Sequence, residues 1–394
     1  MNTLLKHLDI EEAIKALHFL SSYAFTPSPP LPDFESYTER IRNRHGSDYF
    51  AIIEDGQPQA ICCSTTPLTQ NLRGKLFTMG GVADVSTHPS ARRKGFARRL
   101  MHHLFNFFHE KGNAVSCLYP FKESFYERMG YVTLQQTKLV SFNPACLKPI
   151  IDQSVPGFVN LVSFREGYNA YLSYLKVLQE MSHGMALFSI PFTELAQKRE
   201  AWLAFAHQND QIIGMMNYRL SGEEMHQTLW ANDFLFSNAQ GKYLLLDWIA
   251  KHIDQVEKVD LTIKPELHGE ILYTDLSPTF QGRFMAPMAR VIGLAALEGL
   301  PVGQGEMSIR ISDPDCQWNN GDWRFSCDKG SLMIQKDHHQ PEFTLTIQGL
   351  TALIYGVYDP DEFIFRAWGD PDPIQQNKLR IMFPPIIPFL YAKY

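Results

Sequence analysis

Apolar positions along the chain follow two rhythms. In residues 10–23, Ile14, Leu17 and Leu20 keep the spacing of one helix face. The stretch Thr26-Pro27-Ser28-Pro29-Pro30-Leu31-Pro32 then excludes helix, and residues 34–44 predict a second one. Residues 49–54 and 59–66 read as strands joined by Asp55-Gly56-Gln57-Pro58, a hairpin by its turn chemistry. A strand over 75–85, a helix over 98–108, a buried strand over 114–118, a short helix over 125–129 and a strand over 131–141 follow.

The order then partly repeats. After a connection carrying Pro144, Pro149 and Pro156, a helix is predicted over 168–181 and strands over 199–208 and 211–220, around the turn Asn209-Asp210. A strand over 228–236, a helix over 241–253 and a strand over 258–263 come next. The echo lies roughly 150 residues downstream of its counterpart, which points to an internal duplication. From residue 288 the pattern changes again. A helix is expected over 290–296, strands over 306–313, 321–326, 329–335 and 344–346, and a helix over 348–355. The chain thus divides into three α+β units, 1–145, 146–286 and 287–394.

Composition narrows the function classes. Of 394 residues, 45% are hydrophobic and 12% aromatic, enough core-forming material to exclude a disordered chain. The net charge of −6 disfavours a general nucleic-acid binder and suits a cationic small molecule. The N-terminus has no signal-peptide pattern, and no apolar run is long enough to span a membrane, so neither secretion nor a membrane partner is expected. Six cysteines with no C-x-x-C pair fit free thiols in a reducing cytoplasm. Histidines such as His102, His103 and His109 lack a second ligand set at metal spacing, and no metal is expected.

The chemistry concentrates in Val85-Ser86-Thr87-His88-Pro89-Ser90-Ala91-Arg92-Arg93-Lys94-Gly95-Phe96-Ala97. A strand runs into a loop that opens a helix. Backbone N–H groups there converge with the helix N-terminus and favour an anion. Gly95 and Ala97 permit close approach to the backbone, while Arg92, Arg93 and Lys94 add positive charge. With the downstream Phe125-Tyr126-Glu127-Arg128-Met129-Gly130-Tyr131, residues 1 to about 140 resemble the GCN5-related N-acetyltransferase (GNAT) family. The overall layout is similar to the enhanced-intracellular-survival (Eis) type: a GNAT unit, a degenerate GNAT-like echo and a sterol-carrier-protein-like C-terminal domain.

That resemblance implies acetyl-CoA as cosubstrate, contacted by Val85, Ser86, Thr87, Arg92, Arg93, Lys94, Gly95, Phe96, Ala97 and Ser124. It implies Tyr126 as the proton donor to the departing thiolate, and the terminal carboxylate of Tyr394 as general base. Lys393 beside that carboxylate would repel a cationic amine unless it points away. The echo offers Ser237-Asn238-Ala239-Gln240-Gly241 in place of the Arg-rich loop, so one cofactor site per chain is expected. Phe25, Phe34, Tyr37, Asp33 and Glu35 either line an acceptor cleft or belong to a solvated loop. The acceptor is expected to be a primary amine of an aminoglycoside or polyamine-like molecule. Protein lysine, or acetyl-CoA or lipid binding without turnover, stands as the alternative. Eis-like chains are homo-oligomers, which implies trimers or hexamers here.

Overall fold

A computed structural model describes residues 3–44, 46–189, 198–282 and 285–393. The chain opens with β1 (Thr3–Leu8), α1 (Ile10–Phe25), α2 (Phe34–Arg42), β2 (Ser47–Glu54), β3 (Gln57–Leu72) and β4 (Lys75–Thr87). Helix α3 (Phe96–Glu110), β5 (Val115–Leu118), α4 (Glu123–Glu127), β6 (Val132–Thr133), β7 (Lys138–Phe142) and α5 (Lys148–Ile151) follow. The middle stretch contributes β8 (Phe158–Ser163), α6 (Phe164–Met181), β9 (Ala186–Phe188), β10 (Trp202–Gln208), β11 (Gln211–Glu223), β12 (His226–Phe236), α7 (Ala239–Ala250), β13 (Val256–Ile263) and β14 (Thr279–Gly282). The last stretch contributes β15 (Met288–Val291), β16 (Glu306–Ser312), β17 (Gly321–Asp328), β18 (Ser331–Lys336), β19 (Phe343–Thr346), α8 (Ile347–Tyr355) and α9 (Pro373–Met382).

Local chemistry explains much of this. Asp9 caps α1 by accepting from the Glu12 amide, and Ile14, Leu17 and Leu20 are buried beneath it. Asp55 and Gly56 both adopt positive φ, the two-residue hairpin turn that an Asp-Gly pair favours. Asn209 and Asp210 do the same between β10 and β11. Strand β1 was not anticipated; it is an edge strand with Leu8 its one buried residue, so its sequence carries little apolar alternation.

The first sheet runs β1-β2-β3-β4-β5-β15-β6, with β9 pairing on β3, and the second runs β8-β10-β11-β12-β13-β7-β14. Read from β1 and from β8, the two orders are the same. In each, one strand lies antiparallel between two others: β15 between β5 and β6, and β7 between β13 and β14. The two sheets have therefore exchanged these strands. Two sequence expectations are corrected here. The single strand over 131–141 is two strands in different sheets. Of the helix expected over 290–296, Arg290 and Val291 belong instead to β15, which is buried throughout, and only Ala295–Leu297 makes a single 3-10 turn; a short apolar run does not distinguish a buried strand from a buried helix.

Strand β15 carries Arg290, which has no exposed surface. Its guanidinium donates at 2.7 Å to both carboxylate oxygens of Asp313, donates to the Met129 carbonyl, and lies 4.3 Å over the Phe105 ring. Asp313 also accepts from the amides of Asp315 and Cys316 and from Asn319. Asp315, nearly buried, binds His102 of α3 at 2.6 Å. The third sheet, β18-β17-β16-β19, reaches the first through α8. Leu350, Ala352, Leu353, Ile354 and Tyr355 of α8 are all buried, in one apolar cluster with Met79 and Val115 of the first sheet and Ile309 and Phe325 of the third. No helix among the described residues is long and apolar enough to cross a membrane.

Replacing Arg290 by Met leaves Asp313 as a buried charge without its cation. The expected loss is about 3–5 kcal/mol of unfolding free energy by denaturant titration. Adding Asp313→Asn should recover part of it.

Candidate active site

The site begins where two parallel strands part. Strands β4 and β5 pair from Met79–Val115 to Val82–Leu118, after which β5 ends and β4 continues to Thr87. On that side, the backbone from Ala83 to Thr87 has no neighbouring strand. An extended amide-containing arm can supply the missing partner. Val85 and Thr87 are half-exposed along this edge, and Ser86 is buried.

At the break sits Asp84 with φ +52°, left-handed inside a strand. A register irregularity in β3 lies opposite, between Ile61 and Cys63. A non-glycine residue takes this conformation only when its surroundings hold it. Here Ser21 of α1 donates to the Asp84 carboxylate at 2.8 Å, and Arg44, just past α2, forms an ion pair with it. The sequence reading missed both partners. The available signal was an Asp interrupting the apolar run Gly81-Val82-Ala83-Asp84-Val85.

Beyond β4 the chain turns through Pro89–Ala91 and enters α3. Gly95 is the N-cap residue, at φ +81°, and no side chain caps the helix. The first-turn amides are thus open to an anion, favoured further by the helix dipole. Arg92, Arg93 and Gly95 are exposed, and Arg93 also has positive φ. Lys94 is already engaged, 2.8 Å from the mostly buried Glu54 carboxylate. The Phe96 side chain is buried in the α3 core, so only its backbone faces outward, and Ala97 is half-exposed. Ser124 is exposed on α4, which follows β5 across the opening. An open cavity of about 980 Å³ flanks α4, lined by Phe121, Glu123, Ser124, Gln136, Lys138 and His268 among others.

Tyr126, on the same short helix, is 3% exposed. Its ring lies edge-on to Phe125 and Tyr131. Burial, with the buried Cys62 thiol nearby, pushes its phenol well above the ordinary value. The group therefore stays protonated through the physiological range. Tyr131 is fully buried and is hydrogen-bonded to Ser116 at 2.9 Å, a packing role. Tyr394, the expected base, lies outside the described residues. On the acceptor side, Asp33 is spent as the N-cap of α2 and Tyr37 is buried. Glu35, Phe25 and Phe34 are exposed.

The family model described as "Acetyltransferase (GNAT) domain" matches residues 5–134, and one described as "Sterol carrier protein domain" matches residues 294–369. The first unit is a GNAT acetyltransferase domain. The class of enzyme is accordingly acyltransferase. Solved structures with similarity to the whole chain include the following crystal structures. A probable N-acyltransferase from Enterococcus faecalis V583 has TM-score 0.83 at 20% identity, covering 100% of both chains. A GCN5-related N-acetyltransferase from Anabaena variabilis has TM-score 0.81 at 17% identity, covering 99% of both. Eis1 from Mycobacterium abscessus has TM-score 0.79 at 17% identity, covering 99% of this chain and 100% of that one. The fold is thus of the Eis type, with a second GNAT-like unit between the two matched domains. No curated protein matches the chain.

The second GNAT-like unit lacks the features of the first. Helix α7 is capped by the Asn238 side chain, which accepts from the Gly241 amide at 2.9 Å and so takes the place of an anion. A Cβ on Gly241 would lie 2.2 Å from the Ile213 carbonyl oxygen, so this glycine serves close helix–strand packing. No cluster of potential metal ligands occurs among the described residues.

A Cβ on Gly95 would meet nothing within 4 Å, so Gly95→Ala adds only backbone strain of about 1–2 kcal/mol and a methyl group at the helix entrance. The expected result is a severalfold higher KM for acetyl-CoA with kcat nearly unchanged, read by initial rates of thiol release.

Proposed function

We propose that the chain transfers an acetyl group from acetyl-CoA to a primary amine of a cationic small molecule, an aminoglycoside or a polyamine-like compound. The observation that carries this reading is the opening between β4 and β5, with the uncapped α3 N-terminus at one end and Tyr126 on the helix after β5. Its chemistry fits the cosubstrate. Unpaired strand backbone suits the amides of the pantetheine arm, and the α3 amides with Arg92 and Arg93 suit the pyrophosphate. Phe96 and Ala97 contribute backbone, Ser124 lies across the opening, and Lys94 reaches the phosphates only by leaving Glu54. When bound, acetyl-CoA supplies an activated thioester.

The amine nitrogen attacks the thioester carbonyl carbon. The new C–N bond forms as the C–S bond breaks. Tyr126 gives its proton to the departing sulfur and is reprotonated from solvent. The same dry surroundings that weaken the phenol as an acid also disfavour a bare thiolate, so transfer between them stays feasible. The attacking amine loses its proton to the Tyr394 carboxylate, directly or through a water. Attack occurs with both substrates bound, so no acetyl-enzyme forms.

The net charge of −6 supports a cationic acceptor. The third unit is read as a scaffold rather than a lipid carrier, because α8 is buried on every side between two sheets. Association into trimers or hexamers in the cytoplasm completes the proposal.

Tyr126→Phe should lower kcat by about 100-fold or more in a thiol-release assay with a panel of aminoglycosides, polyamines and lysine peptides. Parent-level turnover in that variant would remove Tyr126 from the mechanism. Because burial raises its phenol, the parent kcat should show no loss from Tyr126 ionisation below about pH 10. Deleting Tyr394, or appending residues after it, should abolish turnover while acetyl-CoA binding by calorimetry persists. Unchanged kinetics would exclude the terminal base.

A further inference from the structure

The last segment of the chain lies in the cleft of the second GNAT-like unit. There, β12 and β13 pair in parallel only as far as Ala231 and Leu261, while β12 runs on to Phe236. The opening is the counterpart of the one between β4 and β5. Phe389 is buried in it, within a cluster that includes Tyr171 and Leu178 of α6 and Phe205, Met215 and Leu235 of the sheet. Its amide donates to the His183 carbonyl at 2.8 Å, and the Lys264 ammonium lies 5.5 Å over its ring. The Tyr391 hydroxyl is 2.6 Å from that of Tyr171 and also faces the Asp233 carboxylate on β12.

Leu390 and Ala392 turn the other way. Both belong to the buried cluster that joins the first sheet to the third unit. Tyr119, the residue immediately after β5, donates to the Ala392 carbonyl at 3.3 Å. Side chains that alternate between two units are what an extended segment presents. The tail is therefore a strap, with one face on the second unit and the other on the first unit beside its parted strands. The space left over is small. About 30 Å³ remains, room for about one water, lined by Asp233, Thr262, Lys264, Tyr391 and Lys393 among others. Lys393 thus lines the same cavity as Asp233.

We propose that the cleft of the second unit is a receptor for the C-terminal segment, and that Tyr171 and Asp233, acting through Tyr391, are positioning residues for acetyl transfer in the first. The inference rests on the reading above, in which the tail supplies the base. It gives the degenerate unit a task. A cleft that no longer admits a cofactor holds the segment that completes its neighbour's active site.

Full-length Tyr171→Phe, Tyr391→Phe and the double variant test this with two readouts. The first is turnover by thiol release. The second is the rate at which a carboxypeptidase trims the native chain, followed by intact mass. Each single variant should lose about tenfold in kcat, as expected when a reacting group is misplaced, with the acetyl-CoA KM within about twofold. Trimming should accelerate, and the double variant should be no worse than the singles, because both hydroxyls serve one contact. Parent-level kcat in the variants overturns the positioning role even if trimming accelerates. Trimming at the parent rate in all three overturns the docking. The underlying reading fails in a separate way. A parent without turnover on any amine refutes acetyl transfer and the positioning role with it, and trimming alone then decides the docking. If deleting Tyr394 leaves turnover intact, the terminal base fails while the variants still decide whether the strap shapes the site.

Discussion

Arg290 is a full charge with no contact with water, and much of the architecture follows from satisfying it. A buried guanidinium is tolerated only when its charge is met and most of its lost hydration is offset by hydrogen bonds; here both terminal nitrogens donate and Nε has no partner. Asp313 meets the charge, the Met129 carbonyl takes a further N–H, and the Phe105 ring lies against its face. These partners come from the third stretch, from the turn after α4 and from α3. The residue that gathers them sits on β15, a strand reached only after the second sheet has been built. The first sheet is consequently incomplete until residues 288–291 return to it, and the second is incomplete without β7. The exchange ties the two GNAT-like units together through backbone hydrogen bonds as well as side-chain packing. A network through Asp315 and His102 ties the same region to α3, the helix that receives the pyrophosphate in the proposed mechanism.

The two GNAT-like units show how little separates an anion site from a filled one. Both have a strand leading to a helix N-terminus, and both have parallel strands that part. In the first, glycine occupies the cap, no side chain bonds the first-turn amides, and arginines stand nearby. In the second, an asparagine supplies the acceptor and the helix is drawn onto the backbone of β11. The opening there holds Phe389 and Tyr391 instead of a cofactor arm. The sterol-carrier-like unit follows the same logic. Its helix α8 is consumed in joining two sheets, and its apolar surface is spent on that contact.

Local patterns carried much of this in the sequence. The turns at Asp55-Gly56 and Asn209-Asp210 follow from residues that tolerate positive φ, and the strand–loop–helix around Gly95 follows from glycine and arginine placed before an apolar helix face. The repeat was legible because each unit lays down its elements in the same order. These features depend on neighbours in sequence, so sequence alone determined them.

Tertiary structure decided the rest. Strand β15 looks like a helix start because a short apolar run fits either form, and only the gap between β5 and β6 selects one. Lys94 reads as a phosphate contact until Glu54 is seen beside it. Asp84 gains its partners from Arg44 and Ser21, 40 and 63 residues away along the chain. The tail's residues are aromatic or small in any reading, but which unit each one faces depends on two surfaces folded far upstream. In each case the deciding energy is a pairing or burial between residues remote in sequence, which spacing along a chain does not encode.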